Sequence, residues 1–244
     1  MRQKKQRFWE IDLLRGIAVI MMIIYHILFD IDFLTIYTLA LHHISFQIFL
    51  YPIGTLFLLL VGISLILSYN QYQNMQKQTP PFKKYFTRGI ILFFIALGIT
   101  GITWIYPHEG FIVFGVIHCI GISIILSYPF ITKPKIALIL GSILILIGVW
   151  FSTITVDNPY LFWMGLNTRS FYTLDYFPLL PWFGVVLIGL FSGQKIYPIL
   201  QNKYKKPQKT PTVFIPLTIL GNHSLIVYLL HQPILFGLLF IFFS

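Results

Sequence analysis

Apolar runs of roughly 17–25 residues, long enough to cross about 30 Å of hydrocarbon, recur along the chain at about 13–29, 47–69, 89–106, 112–130, 136–154, 177–196 and 222–243. Polar links separate them, and none of the links is long enough to read as a soluble domain. Inside hydrocarbon a backbone must satisfy its own hydrogen bonds, so each run predicts a helix. A shorter apolar piece, 213–220, contains Pro216 and predicts a re-entrant or interfacial lead into the last helix. The expected fold is therefore all-α: a polytopic integral membrane helix bundle of about seven transmembrane helices, with residues 1–244 as a single domain.

The positions between the runs give this bundle a direction. Of the seventeen Lys and Arg residues, all but Arg15 and Arg169 fall in the pieces 1–12, 70–88, 131–135 and about 195–213. Asp30, Asp32, Glu109, Asp157 and Asp175 fall in the alternate pieces. Basic residues near cytoplasmic helix ends set membrane orientation, so the N-terminus is expected in the cytoplasm and the C-terminus outside. The basic opening "MRQKKQRFWE" superficially suggests a signal peptide, but no small-residue cleavage site follows, and the first run reads as a retained span.

Composition narrows the class further. Hydrophobic residues make up 57% of the chain and charged residues 10%, against about 45–50% and about 25% in soluble proteins. A large soluble core would need a charged exterior that this chain lacks. The net charge of +10 does not indicate nucleic acid, because the basic residues are dispersed among the links instead of gathered on one face. One cysteine, Cys119, excludes internal disulfides and a cysteine-only metal site. The expected location is the cytoplasmic membrane, as a multi-pass protein in contact with lipid.

Against this apolar background the polar groups of the first run stand out. An ionisable side chain inside a bilayer costs several kcal/mol, so it faces protein or a water-filled cavity. Eleven residues at about 100° each bring His26 to within about 20° of Arg15, with a rise of about 16 Å. Asp12 lies one turn before Arg15 and Asp30 one turn beyond His26, so the four predict a polar stripe on one helix face. Asp30 is expected to accept a hydrogen bond from His26, raising its basicity. The plainer alternative is that Arg15 snorkels to headgroups while His26 bonds a neighbouring helix.

Other candidates lie at related depths: His118 about 9 Å inside the fourth run, His108 and Glu109 in "YPHEGF", His231 before Pro233, and the pair His42 and His43. With His26 they suggest a polar cavity opening outward. "HEGFI" is not a metalloprotease motif, which needs a second histidine four residues after the first, and no metal is expected. The long link 155–176, "TVDNPYLFWMGLNTRSFYTLDY", carries Trp163, Asn167, Arg169 and Asp175 and is the candidate binding platform on the outer side. Trp9, Trp104, Trp163 and Trp182 fit interfacial belts, and Trp182 also joins the candidate substrate contacts.

"EIDLLRGIAVIMMIIYH" resembles the opening of transmembrane acyltransferases, whose first helix carries an arginine, ten residues and a histidine. Together with "DYFPLLPWFGVVLIGLFSG" (175–193) and "GNHSLIVYLLHQPI" (221–234), it makes nearly the whole chain similar to the bacterial and archaeal branch of the heparan-α-glucosaminide N-acetyltransferase catalytic-domain family. The resemblance implies an acyl-CoA-dependent transmembrane acyltransferase that takes an acyl group, usually acetyl from acetyl-CoA, to a sugar hydroxyl or amine on the outer side. It assigns Arg15 to the family arginine and His26 to the motif histidine. The lysosomal enzyme of the family has asparagine where His26 stands and its active histidine further towards the lumen, so His42 or His43 is the second candidate for that role.

On this reading His26 is the base, with Asp30 behind it and His118 in the same cavity. An alternative role for His26 is transient acyl carrier. Arg15, Lys83, Lys84 and Arg88 would attract the phosphates of CoA, although topology alone also accounts for the last three. The expected partners are lipid, acyl-CoA and a sugar-containing acceptor, and a homo-oligomer is compatible with all of these. A proton-coupled transporter using His26, His118, His231 and Asp30 as a relay is the competing class. The lack of an internal repeat argues against it. A non-catalytic scaffold would tolerate loss of Arg15 and His26.

Overall fold

A computed structural model of the chain describes residues 7–34, 44–169, 172–205 and 208–243. The helices are α1 (Trp9–Phe33), α2 (Ile44–Gln76), α3 (Phe82–Ile105), α4 (Val116–Ser127), α5 (Pro134–Phe151), α6 (Leu179–Lys203), α7 (Ile215–Asn222) and α8 (Ser224–Phe243). Two short strands, β1 (Thr155–Val156) and β2 (Asn167–Thr168), pair in parallel, with Thr155 opposite Asn167 and Val156 opposite Thr168. The all-α polytopic bundle expected from the apolar runs is the fold observed. His42 and His43 lie outside the described residues.

Among the described residues, five helices are long and apolar enough to cross a membrane, and six if the bent pair Thr212–Asn222 and Ser224–Leu239 counts as one span. The sequence predicts a further span at 112–130, but the apolar helical stretch there, Val116–Phe130, is shorter. Its late start has a physical cause. Gly115 is extended and serves as N-cap, and the backbone N–H of Val116 donates to the Asp175 carboxylate at 3.0 Å. An anion at the first turn favours helix initiation there. The apolar piece around Pro216 forms a short helix of its own, and the chain turns by 77° between it and α8. The break falls at His223, after which α8 runs through Pro233.

The described chain divides into two compact units. One comprises Leu58–Asn202. Here α2 and α6 approach through glycines: a Cβ at Gly62 would strike the Val186 carbonyl, and one at Gly189 would strike that of Leu59. Gly89 and Gly121 serve α3 and α4 in the same way. Lipid tails are as apolar as leucine, so helices in a membrane associate by close van der Waals packing, which small residues permit. Leu58, Leu65, Ile66, Leu187 and Leu190 are fully buried in this unit.

The second unit comprises Arg7–Phe57 and Lys203–Ser244. Its apolar centre is Val19, Met22 and Ile53, with Leu220, Val227 and Tyr228 packed against it. Helix α1 is the axis of this unit, lying against both α7 and α8.

Candidate active site

Asp12, Gly16, Val19, Met22, His26 and Asp30 recur on α1 at three- and four-residue spacing, which places them along one face. This face meets the C-terminal helices, so the partners of the first motif come from the segment 203–232. At the N-terminal end, Arg15 Nη1 lies 2.8 Å from Asp12 Oδ1. Arg7 Nη1 donates to Asn222 Oδ1 at 2.5 Å. Gly221 packs so tightly that a Cβ there would strike the Asp12 carbonyl, and a Cβ at Gly16 would strike that of Leu217. Beside them, Glu10 holds Lys203 Nζ at 2.6 Å and accepts from the Tyr204 hydroxyl at 2.7 Å. Burial and the Glu10 carboxylate push the Tyr204 phenol above its ordinary range.

At the other end of the face, the rings of His26 and His231 meet edge to face, with centroids 4.6 Å apart. His26 Nδ1 lies 2.9 Å from the Met22 carbonyl and His231 Nδ1 lies 2.6 Å from that of Tyr228. A carbonyl only accepts, so Nδ1 carries the proton in each neutral ring and Nε2 keeps the lone pair. Both imidazoles are thereby oriented as bases through Nε2. One turn along, Gln232 Nε2 donates to Asp30 Oδ1 at 2.6 Å, and Asp30 is 1% exposed. Among the described residues, Asp30 Oδ2, Gln232 Oε1 and His231 Nε2 are buried with no hydrogen-bond partner. Unsatisfied buried polar atoms are costly, and all three belong to the two helices that carry the paired imidazoles.

One expectation is corrected here. The His26 ring is not bonded to Asp30 through Nδ1, because the carbonyl one turn back in its own helix takes that proton, while the Asp30 carboxyl reaches across to α8. The sequence reading missed Gln232, Asn222, Lys203 and Tyr204. The adjacent polar pair His231–Gln232 inside an apolar run was the available signal for the first of these.

We expect Gln232→Leu to destabilise the protein by about 1–3 kcal/mol, since the buried Asp30 carboxyl loses its donor. Asp30→Leu combined with Gln232→Leu should be less destabilised than the single Gln232 variant, because no orphan remains. Thermal unfolding of the purified proteins in detergent measures both.

The remaining candidates lie in the other unit. His118 does not sit deep within a long helix. It is the third residue of α4, stacked on Phe114 and met edge to face by Phe93, with Nδ1 accepting from the Gly115 N–H at 3.2 Å and Nε2 3.4 Å from Thr100 Oγ1. Both ring nitrogens are committed to the helix cap and its neighbour, and Asp175 is committed to the same cap. Trp182 is buried against Phe177 and not in an exposed belt.

His108 and Glu109 form the turn after α3. His108 has φ 70°, and its Nδ1 bonds the Trp104 carbonyl at 2.7 Å. Trp163 is exposed on a 3-10 turn, and Arg169 pairs with Asp157 at 3.4 Å. Tyr176 donates to the Phe162 carbonyl at 2.6 Å, and burial pushes its phenol up to about 12. Lys83, Lys84 and Arg88 are exposed on the first turns of α3, with Lys84 Nζ 4.5 Å from the Tyr72 ring centre.

A multi-pass helix bundle whose first and last helices bring two imidazoles together defines the class, an integral membrane protein with a buried polar contact between those helices. The family model described as heparan-alpha-glucosaminide N-acetyltransferase, catalytic, matches residues 7–233, and the chain belongs to that family. It is thus a multi-pass membrane acetyltransferase by family. No curated protein and no solved structure is significantly similar to it.

Proposed function

We propose that the protein moves an acetyl group from cytoplasmic acetyl-CoA to a hydroxyl or amine of a sugar-containing acceptor on the extracytoplasmic side of the cell membrane. The observation that carries this reading is the His26–His231 pair, each ring held by a main-chain carbonyl so that Nε2 is the basic atom. A thioester is already activated, so the reaction needs orientation and a base more than electrophilic help. The acceptor oxygen or nitrogen attacks the thioester carbonyl while its proton passes to His26 Nε2. The new C–O or C–N bond forms, the C–S bond breaks, and the CoA thiolate leaves, to be protonated from the imidazolium or solvent.

The asymmetry of basic residues supports a cytoplasmic donor, with Arg15 as one candidate cation for its phosphates and Lys83, Lys84 and Arg88 as others. The family match runs through both compact units, which supports reading them as one domain. His42 and His43 are the alternative bases.

The test is acetyl transfer by purified protein in nanodiscs, with labelled acetyl-CoA and a panel of glycan acceptors. Acceptor-dependent release of CoA is the expected result, and its absence across the panel overturns the proposal. In the same assay Arg15→Ala should raise KM for acetyl-CoA by about tenfold, the loss of one charge-assisted contact.

A further inference from the structure

Asp30 lies fully buried where α1 meets α8, and no cation answers it. It forms no ion pair among the described residues. Helices α7 and α8, which pack against α1, contain no Lys or Arg, and neither does 44–57, the part of α2 in the same unit. On α1 itself the only basic residue is Arg15, about 22 Å back along the helix. Asp32, the other acid at this end, lies about 200° round the helix from Asp30. The imidazoles of His26 and His231 give their Nδ1 protons to main-chain carbonyls, and neither ring bonds the carboxyl.

The hydrogen bonds of the contact are also incomplete in a particular way. Gln232 Nε2 donates to Asp30 Oδ1 at 2.6 Å, which leaves Asp30 Oδ2 and Gln232 Oε1 buried and unmet. If the carboxyl were ionised, both of these atoms would be acceptors, and the net charge would have no counter-ion in an apolar setting. A single proton on Oδ2 removes both defects. The O–H then donates to Gln232 Oε1, and the carboxyl is uncharged. A carboxylic acid and a primary amide are matched for this, each offering one donor and one acceptor side by side. The arrangement needs no access to solvent, in keeping with the burial of both atoms.

We propose that Asp30 is held as the neutral carboxylic acid, paired with the Gln232 amide by two hydrogen bonds, and that this pair is the latch that positions His231 against His26. Gln232 directly follows His231, and Asp30 lies one turn beyond His26, so the latch fixes the register of the two rings. Its charge state matters as much as its geometry. A carboxylate this close would favour imidazolium and deny the reaction its base, whereas a neutral acid leaves the Nε2 lone pairs free. That consequence rests on the reading of His26 as the base; the pairing itself does not.

Infrared spectroscopy of the full chain in nanodiscs at neutral pH tests the pairing. Wild type should show the carbonyl band of a protonated carboxylic acid, shifting in heavy water. Asp30→Asn should lack that band, and Gln232→Leu should move it to higher frequency as the carbonyl loses its donor. Should Asp30→Asn fail to fold, carbon-13 labelling of aspartate assigns the band in wild type. Histidine NMR reads the charge: His26 and His231 should titrate at the same pH in wild type and in Asp30→Asn. An ionised Asp30 would instead make the variant titrate lower by about one unit or more, since a negative charge is lost. For the positioning role, kcat for acetyl transfer should fall about tenfold or more in Gln232→Leu with KM for acetyl-CoA unchanged.

No acid band in wild type, a band that survives in Asp30→Asn or ignores the aspartate label, a band unmoved in Gln232→Leu, or the lowered titration each overturns the neutral pair. An unaltered kcat in Gln232→Leu overturns the positioning role. The two readings fail separately. If the acid band behaves as expected but no acetyl transfer is found with any acceptor, the activity is wrong and the pair stands. If acetyl transfer proceeds and the band is missing, the pair is wrong and the activity stands.

Discussion

His26→Asn is expected to lower kcat for acetyl transfer by about 10²–10⁴-fold, the range for loss of a positioned general base, while the protein remains folded. Asparagine is the informative replacement because its side-chain amide can donate to the Met22 carbonyl much as Nδ1–H does at 2.9 Å, so the local helix bond survives. What disappears is Nε2 and its lone pair. KM for acetyl-CoA should change little, in contrast to Arg15→Ala, because His26 is asked to act on the acceptor proton and not on the donor phosphates. His231→Asn probes the other ring by the same logic, with Tyr228 as the carbonyl partner. Steady-state kinetics with each variant, alongside unfolding curves, separates the roles. Should His26→Asn keep kcat within a few-fold of wild type, the base lies elsewhere, and His42→Ala and His43→Ala become the decisive variants.

The apolar runs carried the architecture because helix length and composition are written locally. The polar stripe of α1 was equally legible, since Asp12, His26 and Asp30 share a face by arithmetic alone. What lay across from that stripe was not. The distance in sequence from Asp30 to Gln232 is too great for any periodicity to connect them, and a glutamine in an apolar run does not announce its partner.

The same limit explains His118. Its depth was inferred from a run that starts at about 112, but the helix begins four residues later because Asp175, distant in sequence, captures its first amide. The resemblance of 221–234 to a family motif now has a physical basis. Gly221 meets Asp12 and Gly16, Asn222 holds Arg7, His231 faces His26 and Gln232 binds Asp30. The third motif is largely the complement of the first.

That complementarity makes the contact between α1 and α7 the most sensitive point of the second unit. Gly221→Val is expected to destabilise it by at least ~1–3 kcal/mol, the usual cost of overpacking. A Cβ at position 221 strikes the Asp12 carbonyl and comes within 2.7 Å of the Gly16 nitrogen, and both are backbone atoms that cannot rotate aside. Relief requires α7 to move off α1. Between helices in lipid no hydrophobic force compensates for the lost van der Waals contact. Gly16→Val should behave alike, since its Cβ strikes the Leu217 carbonyl in the same interface.

Gly237→Ala is the control. A Cβ there meets nothing within 4 Å, so the change should be neutral or stabilising, by up to about 1 kcal/mol, through helix propensity. Thermal unfolding in detergent, followed by tryptophan fluorescence, ranks the three variants. If Gly221→Val unfolds with the same midpoint as Gly237→Ala, the close packing of α1 on α7 is not what holds the first and third motifs together.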